Sequence, residues 1–178
     1  MSTIVLKFGG TSVATTDLIK SAASIVKKEY DAGNNLAVVV SAMAGTTNSL
    51  INFVKEINSS VDSEYDVVVS SGEQVTSGLM SMALNQLGVQ SRSWLGWQLP
   101  IITSGPHRNS LIEKINVEKI LKDFEDRKVA VLAGFQGLSI EGRITTIGRG
   151  GSDNTAVFLA SALNADRCDI YTDVDGVY

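Results

Sequence analysis

The sequence predicts an α/β fold in which helices cover both faces of a mainly parallel sheet. Short apolar runs rich in β-branched residues alternate with segments of helical spacing, which is the pattern of repeated β-α-β units. Glycine-rich turns follow several of the apolar runs, as expected where strands end. With 178 residues, 44% of them hydrophobic, the chain is long enough for one substantial core, so we expect a single domain over 1–178.

The individual elements are read from this alternation in chain order. The predicted strands share short apolar runs and cover 3–7, 36–40, 89–95, 101–103, 129–133 and 169–172. The predicted helices share apolar residues at helical spacing and cover about 17–32, 47–57, 73–87, 117–126 and 152–164. Asp17 is placed to cap the first of them. A hairpin is expected around Glu141 and Gly142, and the apolar run 67–69 is open between a strand and a buried helix.

Composition narrows the class of protein. The formal net charge is -4, with 15 basic and 19 acidic residues mixed along the chain, so no basic stripe favours nucleic acid. The single cysteine, Cys168, excludes an internal disulfide and is typical of a reducing compartment. No apolar run reaches the roughly 20 residues of a membrane span. With one cysteine and one histidine, His107, no Cys/His zinc site is expected either. We expect a soluble, cytoplasmic protein.

The first glycine-rich turn directly follows the first strand. Lys7 ends that strand, and Gly9 and Gly10 follow it. Glycines allow phosphate oxygens to approach backbone N–H groups, and the lysine adds a mobile positive charge. The order differs from a Walker loop, in which the lysine follows the glycines. The alternative is a tight strand-to-helix turn with a surface lysine.

The second glycine-rich turn, 148–153, precedes the last predicted helix. Its glycines expose the N-terminal amides of that helix, which Ser152 or Asp153 is placed to cap. Arg149 lies between glycines and is suited to bidentate binding of a carboxylate. The alternative is a capped helix beside a solvated arginine.

Three further segments carry polar residues next to predicted strands or helices. Glu73 stands at a helix start, where either the helix dipole or a ligand explains an acid. The loop 41–48 is rich in small hydroxyl residues, which could line a polar pocket; the alternative is a simple turn and helix cap. The segment 172–176 ends a strand with two carboxylates, which could face a metal, a ribose or only solvent. His107 is expected to be an exposed loop residue.

Seven motifs in this order resemble aspartate kinases, within the amino-acid-kinase superfamily. They are KFGGTS, SAMAGTTN, SGE, GWQ, GFQG, GRGGSD and TDVDGVY, and together they cover nearly the whole chain. The resemblance implies a three-layer αβα sandwich. It also implies transfer of a phosphoryl group from MgATP to the side-chain carboxylate of L-aspartate, which is the first step toward lysine, threonine and methionine.

The resemblance also assigns roles to individual residues. Lys7 with Gly9 and Gly10 would hold the transferring phosphoryl group, and Asp153 would lie at the catalytic centre together with Lys7. The expected aspartate-binding residues are Ser41, Thr47, Glu73 and Arg149. The expected nucleotide- and phosphate-binding residues also include Gly150, Gly151, Ser152, Thr172, Asp173 and Tyr178. No residue is assigned to a metal; ATP and Mg²⁺ are the expected cofactors, and a homo-oligomer is expected.

The family continues beyond the position of Tyr178 into a further nucleotide-binding segment and regulatory ACT domains. We therefore expect 1–178 to be the front part of a kinase domain, with little kinase activity alone. Two alternatives remain. One is a kinase of the same fold acting on another small acid or a nucleotide phosphate, and the other is a non-catalytic module that binds aspartate or a partner subunit.

Overall fold

The elements of the fold are defined in a computed structural model, which describes residues 1–148 and 150–172. The strands within these residues are β1 (Thr3–Phe8), β2 (Asn35–Val40), β3 (Ser91–Trp94), β4 (Ile101–Ser104), β5 (Leu111–Ile115), β6 (Val129–Ala133), β7 (Gln136–Leu138), β8 (Ile144–Thr146) and β9 (Arg167–Tyr171). The α-helices are α1 (Thr16–Asp31), α2 (Thr46–Ile57), α3 (Asp62–Val69), α4 (Ser71–Gln86), α5 (Glu118–Glu125) and α6 (Gly151–Ala162).

A five-stranded sheet in the order β3-β6-β2-β1-β9 forms the centre of the fold. All of its neighbouring strands pair in parallel, so their carboxyl ends meet at one edge. The inner strands β2 and β6 are almost continuously apolar because both of their faces are covered.

Helices pack on the two faces of this sheet. Alternate residues of β1 point to opposite sides: Ile4, Leu6 and Phe8 join the core beneath α1 and α4, whereas Val5 joins the core beneath α5 and α6. The three layers are therefore α1/α4, the sheet, and α5/α6. This confirms the predicted α/β class, with its αβα layering and parallel sheet.

A second sheet has four strands in the order β5-β4-β7-β8, of which β7 and β8 follow β6 in the chain. It is mixed, since β4 and β7 pair in parallel and the remaining pairs are antiparallel. The β7–β8 pair is the predicted hairpin around Glu141 and Gly142. Strand β5 was not predicted, because it carries the charged residues Glu113 and Lys114 and has only two buried positions.

Two local predictions are corrected or decided by the structure. The run 67–69 belongs to a helix, α3, which buries Val69. Helix α1 is capped by Thr15, whose Oγ1 accepts a hydrogen bond from the Leu18 amide at 3.2 Å. Asp17 is not the cap, because it already lies in the first turn of the helix. Across 1–148 and 150–172, no helix has the length and apolarity to cross a membrane.

Candidate functional site

A cavity of about 550 Å³ opens at the carboxyl edge of the five-stranded sheet. Its walls come from the turns after β1, β2 and β6, from the start of α4, and from the start of α6. Most of the expected site residues in the described part of the chain line it: Lys7, Gly10, Ser41, Thr47, Glu73, Gly150, Gly151, Ser152 and Asp153.

Lys7 and Asp153 form an ion pair in this cavity. Lys7 is only 6% exposed, because it lies near the end of a central strand. Its Nζ lies 2.6 Å from Oδ1 of Asp153, whose side chain is 46% exposed. Among the described residues this oxygen has no partner other than the Lys7 ammonium group. The pair links the end of β1 to the first turn of α6.

The two glycines after Lys7 serve the packing of the turn. The Gly9 amide donates to the Tyr171 carbonyl at 3.0 Å, which extends the pairing of β1 with β9. A Cβ on Gly10 would lie 2.9 Å from the Ala42 carbonyl oxygen. Gly10 lines the cavity and Gly9 does not. The Gly9 amide already has a partner in the sheet, so it is not free to bind phosphate in this arrangement.

Glu73 is a buried carboxylate in the opposite wall, at the start of α4. It is 3% exposed, and its Oε1 accepts a hydrogen bond from the Ala42 amide at 3.0 Å. Its Oε2 is buried and has no hydrogen-bond partner among the described residues. Burial raises the pKa of Glu73 from 4.5 to about 7, against the opposing effect of the Ala42 hydrogen bond. A cation placed at Oε2 would stabilise the ionised form.

The position of Glu73 depends on Gly72. A Cβ on Gly72 would lie 2.8 Å from the Ala42 Cβ and 3.3 Å from Cγ2 of Thr46. Glycine therefore lets the start of α4 approach the loop after β2 closely enough for the Ala42 hydrogen bond. Ser41 lies in the same loop and Thr47 in the adjoining first turn of α2, and both residues line the cavity.

The start of α6 forms the third part of the cavity. Gly150 is the N-cap residue and has a left-handed φ of 69°, so the helix begins at Gly151. The prediction that Ser152 or Asp153 caps the helix was wrong, because both residues lie inside its first turn. No side chain among the described residues caps it, which leaves its first-turn amides available to an anion.

Besides Gly9, four of the predicted site residues are not among the described residues that line the cavity. Arg149, Asp173 and Tyr178 lie outside the described residues. Thr172 directly follows β9, is exposed, and is not part of the cavity lining.

Sequence reasoning missed Arg108, Asn109 and Phe135, which also line the cavity. Arg108 and Asn109 come from the β4–β5 connection, beside His107. The expectation that His107 is simply exposed was wrong: its side chain is 27% exposed, and its Nδ1 lies 2.6 Å from Oδ2 of the buried Asp66. The only sequence signal was the residue types themselves, since this connection follows no strand of the central sheet.

The fold agrees with the comparisons to known proteins. The amino acid kinase family matches residues 2–178, and the chain belongs to that family. Its similar relatives include an aspartokinase of Rickettsia conorii, 47% identical over 182 residues, and an aspartokinase of Pseudomonas aeruginosa, 52% identical over 179 residues. Each alignment covers 100% of this chain, but only 45% and 43% of the relative, so the chain spans less than half of their length.

Solved structures give the same result. Aspartate kinase from Synechocystis matches with a TM-score of 0.83 and 41% identity, over 98% of this chain and 29% of that chain. Aspartokinase III of E. coli, in complex with aspartate and ADP, matches with a TM-score of 0.85 and 29% identity, over 98% of this chain and 50% of that one.

Proposed function

We propose that this chain supplies the aspartate-binding and phosphoryl-transfer region of an ATP-dependent aspartate kinase. The reaction transfers the γ-phosphoryl group of ATP to the side-chain carboxylate of L-aspartate and gives 4-phospho-L-aspartate. The observation that carries the proposal is the buried Glu73 carboxylate, which lines the same cavity as the Lys7–Asp153 ion pair. Similarity to aspartokinases, one of them in complex with aspartate and ADP, supports it.

Glu73 would bind the α-ammonium group of aspartate. Its Oε2 lacks a hydrogen-bond partner within 1–148 and 150–172, and a buried charged group without a partner is costly to keep. An ammonium group at this oxygen would both donate the missing hydrogen bond and supply the missing charge. Arg149, on the resemblance and its position between glycines, would bind the α-carboxylate. Ser41 and Thr47 would complete the polar surface around the substrate.

Lys7 and the start of α6 would bind the phosphoryl group as it moves from ATP to a carboxylate oxygen of aspartate. Phosphoryl transfer requires mainly positioning and neutralisation of charge on the phosphoryl oxygens. Lys7 supplies a buried positive charge, held in place by Asp153, and the amides near Gly150 and Gly151 supply hydrogen-bond donors. This arrangement is suited to a negative charge that develops in the transition state.

The described residues fit a magnesium ion that is bound together with the nucleotide. Besides Glu73, Asp153 is the one acidic side chain in the described cavity lining, and the described residues contain no cluster of three metal-binding side chains. Magnesium is commonly held by one or two carboxylates together with substrate phosphates, so Asp153 is the residue that would hold it. When bound, the ion neutralises charge on the phosphate oxygens.

The proposal extends to the setting of the enzyme. We infer a cytoplasmic homo-oligomer whose product feeds lysine, threonine and methionine synthesis. Exposed apolar side chains on α4, Val75 at 57% and Met82 at 69%, support association with a second copy. Sedimentation equilibrium of the wild type and Met82→Glu tests this part, since a monomeric wild type would contradict it.

Calorimetry with L-aspartate and succinate tests the substrate assignment. Succinate keeps both carboxylates but lacks the ammonium group. We expect aspartate to bind at pH 8 and succinate to bind at least about tenfold more weakly, because a hydrogen bond to a charged group is worth roughly 1.5–3 kcal/mol. Glu73→Gln should remove this preference, whereas the exposed control Glu56→Gln should keep it. Equal binding of the two ligands to the wild type would contradict the assignment and favour another acid as substrate.

A product assay separates a kinase from a non-catalytic binding module. In the full-length protein with aspartate, ATP and magnesium, we expect ADP release that depends on aspartate. Aspartate binding without ADP release would favour the non-catalytic alternative.

A further inference from the structure

Helix α3 contains a buried carboxylate that does not line the cavity. Asp66 is 0% exposed. Its Oδ1 accepts a hydrogen bond from the Thr146 hydroxyl at 2.5 Å, and its Oδ2 lies 2.6 Å from His107 Nδ1. The Arg108 amide donates to both oxygens, at 3.1 and 3.2 Å. Both oxygens therefore have partners, as burial of a carboxylate requires.

These partners of Asp66 belong to two segments that form the cavity wall. His107 and Arg108 lie in the β4–β5 connection, which contributes Arg108 and Asn109 to the lining. Thr146 ends β8 and is followed by Ile147 and Gly148, which also line the cavity. Asp66 thus joins the two segments through a single side chain.

The two segments are also in direct contact with each other. The Ser110 amide donates to the Thr146 carbonyl at 3.0 Å. The side chain of Asn109 packs against Gly148 so closely that a Cβ on Gly148 would lie 2.0 Å from Asn109 Oδ1. A displacement of either segment would therefore be transmitted to Gly148, where the second glycine-rich turn begins.

We propose that Asp66 is a positioning residue for the aspartate site: through Thr146 and the His107–Arg108 connection, it fixes the second glycine-rich turn relative to Glu73. This inference rests on the proposed function. Helix α3 leads directly into α4, which carries Glu73 seven residues after Asp66. One continuous helical segment thus holds both the carboxylate for the ammonium group and the residue that orients the opposite wall.

Adjacent threonines in β8 distinguish this role from a purely structural one. Thr146 is 0% exposed and bonds Asp66, whereas Thr145 is 1% exposed and its hydroxyl lies 2.7 Å from the Thr103 hydroxyl inside the second sheet. Thr146→Val and Thr145→Val remove the same group from equally buried sites. We expect both variants to lower Tm, and Thr146→Val to lower it more, because a hydrogen bond to a carboxylate is worth more than one between two hydroxyls. The Tm values therefore report the lost bonds, and they do not by themselves test the positioning role.

Aspartate binding and amide hydrogen exchange should separate the two variants. Thr146→Val should raise the Kd for aspartate about tenfold and speed exchange of the Gly148 and Gly150 amides about tenfold, since both depend on the position of the turn. Thr145→Val should change neither by more than about threefold. Thr146→Ser keeps the hydroxyl, and it should restore both values.

Each negative outcome has a distinct meaning. Equal aspartate affinity or equal exchange rates in Thr146→Val and Thr145→Val would overturn the positioning role and leave Asp66 as a structural residue. Failure of the wild type to bind aspartate would instead overturn the proposed function. In that case the exchange rates of Gly148 and Gly150 would still decide whether Asp66 positions the turn.

Discussion

The two walls of the cavity differ in how their buried charged side chain is partnered. In the Glu73 wall, formed by the loop 41–47 and the start of α4, one oxygen of the buried carboxylate has no hydrogen-bond partner among the described residues. In the Lys7 wall, formed by the turn after β1 and the start of α6, the buried lysine already faces Asp153 at 2.6 Å. In a wall that binds a charged substrate group, an unpaired buried charge favours binding, because the substrate supplies the missing partner. A wall that acts on a transferring group gains from a cation already held in place.

The comparison predicts that the Glu73 wall is destabilised at neutral pH when no ligand is bound. The pKa of Glu73 is about 7 in the folded state, against an ordinary value of 4.5. Between these values the unfolded chain releases a proton that the folded chain keeps, so stability falls as pH rises from about 4.5 to 7. The pKa difference corresponds to roughly 3 kcal/mol above pH 7.

Glu73→Gln removes this titration and measures it. The free energy of unfolding of Glu73→Gln, minus that of the wild type, should increase by up to about 3 kcal/mol between pH 4.5 and 8. A pH-independent cost of the amide offsets this difference by a constant and leaves its change with pH unaffected. The exposed control Glu56→Gln should show a flat difference over the same range. A flat difference for Glu73→Gln as well would mean that the Glu73 wall is not strained by its charge.

Lys7→Met tests the opposite property of the Lys7 wall. We expect turnover of the full-length protein to fall on the order of 100-fold, as when one preorganised donor to a developing charge is removed. The Kd for aspartate should change little, because Lys7 is assigned to the phosphoryl group. The exposed Lys20→Met, which loses only a surface pair with Asp17, serves as the control. A loss of aspartate affinity with unchanged turnover would reverse the roles of the two walls.

The central sheet and much of the cavity could be predicted from the sequence, because both follow from local patterns. Buried parallel strands are apolar runs, and glycines and polar residues after them meet at one edge. Arg108 and Asn109 could not be found in this way, since they come from a connection in the second sheet. Asp66 bonds partners 41, 42 and 80 residues away, and no local pattern encodes such distances.

Helix starts were the least predictable local feature. Thr15, rather than Asp17, caps α1, and Gly150 is the N-cap residue of α6 although Ser152 and Asp153 are better capping residue types. In both cases the backbone conformation before the helix decides where it starts. At Gly150 this conformation is left-handed, which glycine adopts without strain.

Gly72→Ala tests how the Glu73 wall is held together. The added Cβ would lie 2.8 Å from the Ala42 Cβ, and neither atom belongs to a flexible side chain. We expect a loss of about 2 kcal/mol of stability, as for overpacked interiors, together with weaker aspartate binding as Glu73 moves away from Ala42. Gly78→Ala is the control, because a Cβ on this glycine of the same helix meets nothing within 4 Å. Equal stability of both variants, measured by urea unfolding, would show that the close contact at Gly72 is not required.

Gly150 in the Lys7 wall should give the smallest effect, and for a different reason. A Cβ on Gly150 would meet nothing within 4 Å, so space does not restrict the residue, but its φ of 69° does. Gly150→Ala should cost about 1 kcal/mol from the left-handed backbone alone. Gly150→Asn should cost less, because asparagine adopts this conformation more readily than alanine. Urea unfolding of the two variants gives the order directly. If alanine and asparagine destabilise the protein equally, backbone conformation is not what requires glycine at the start of α6, and the amides of that turn become the remaining explanation.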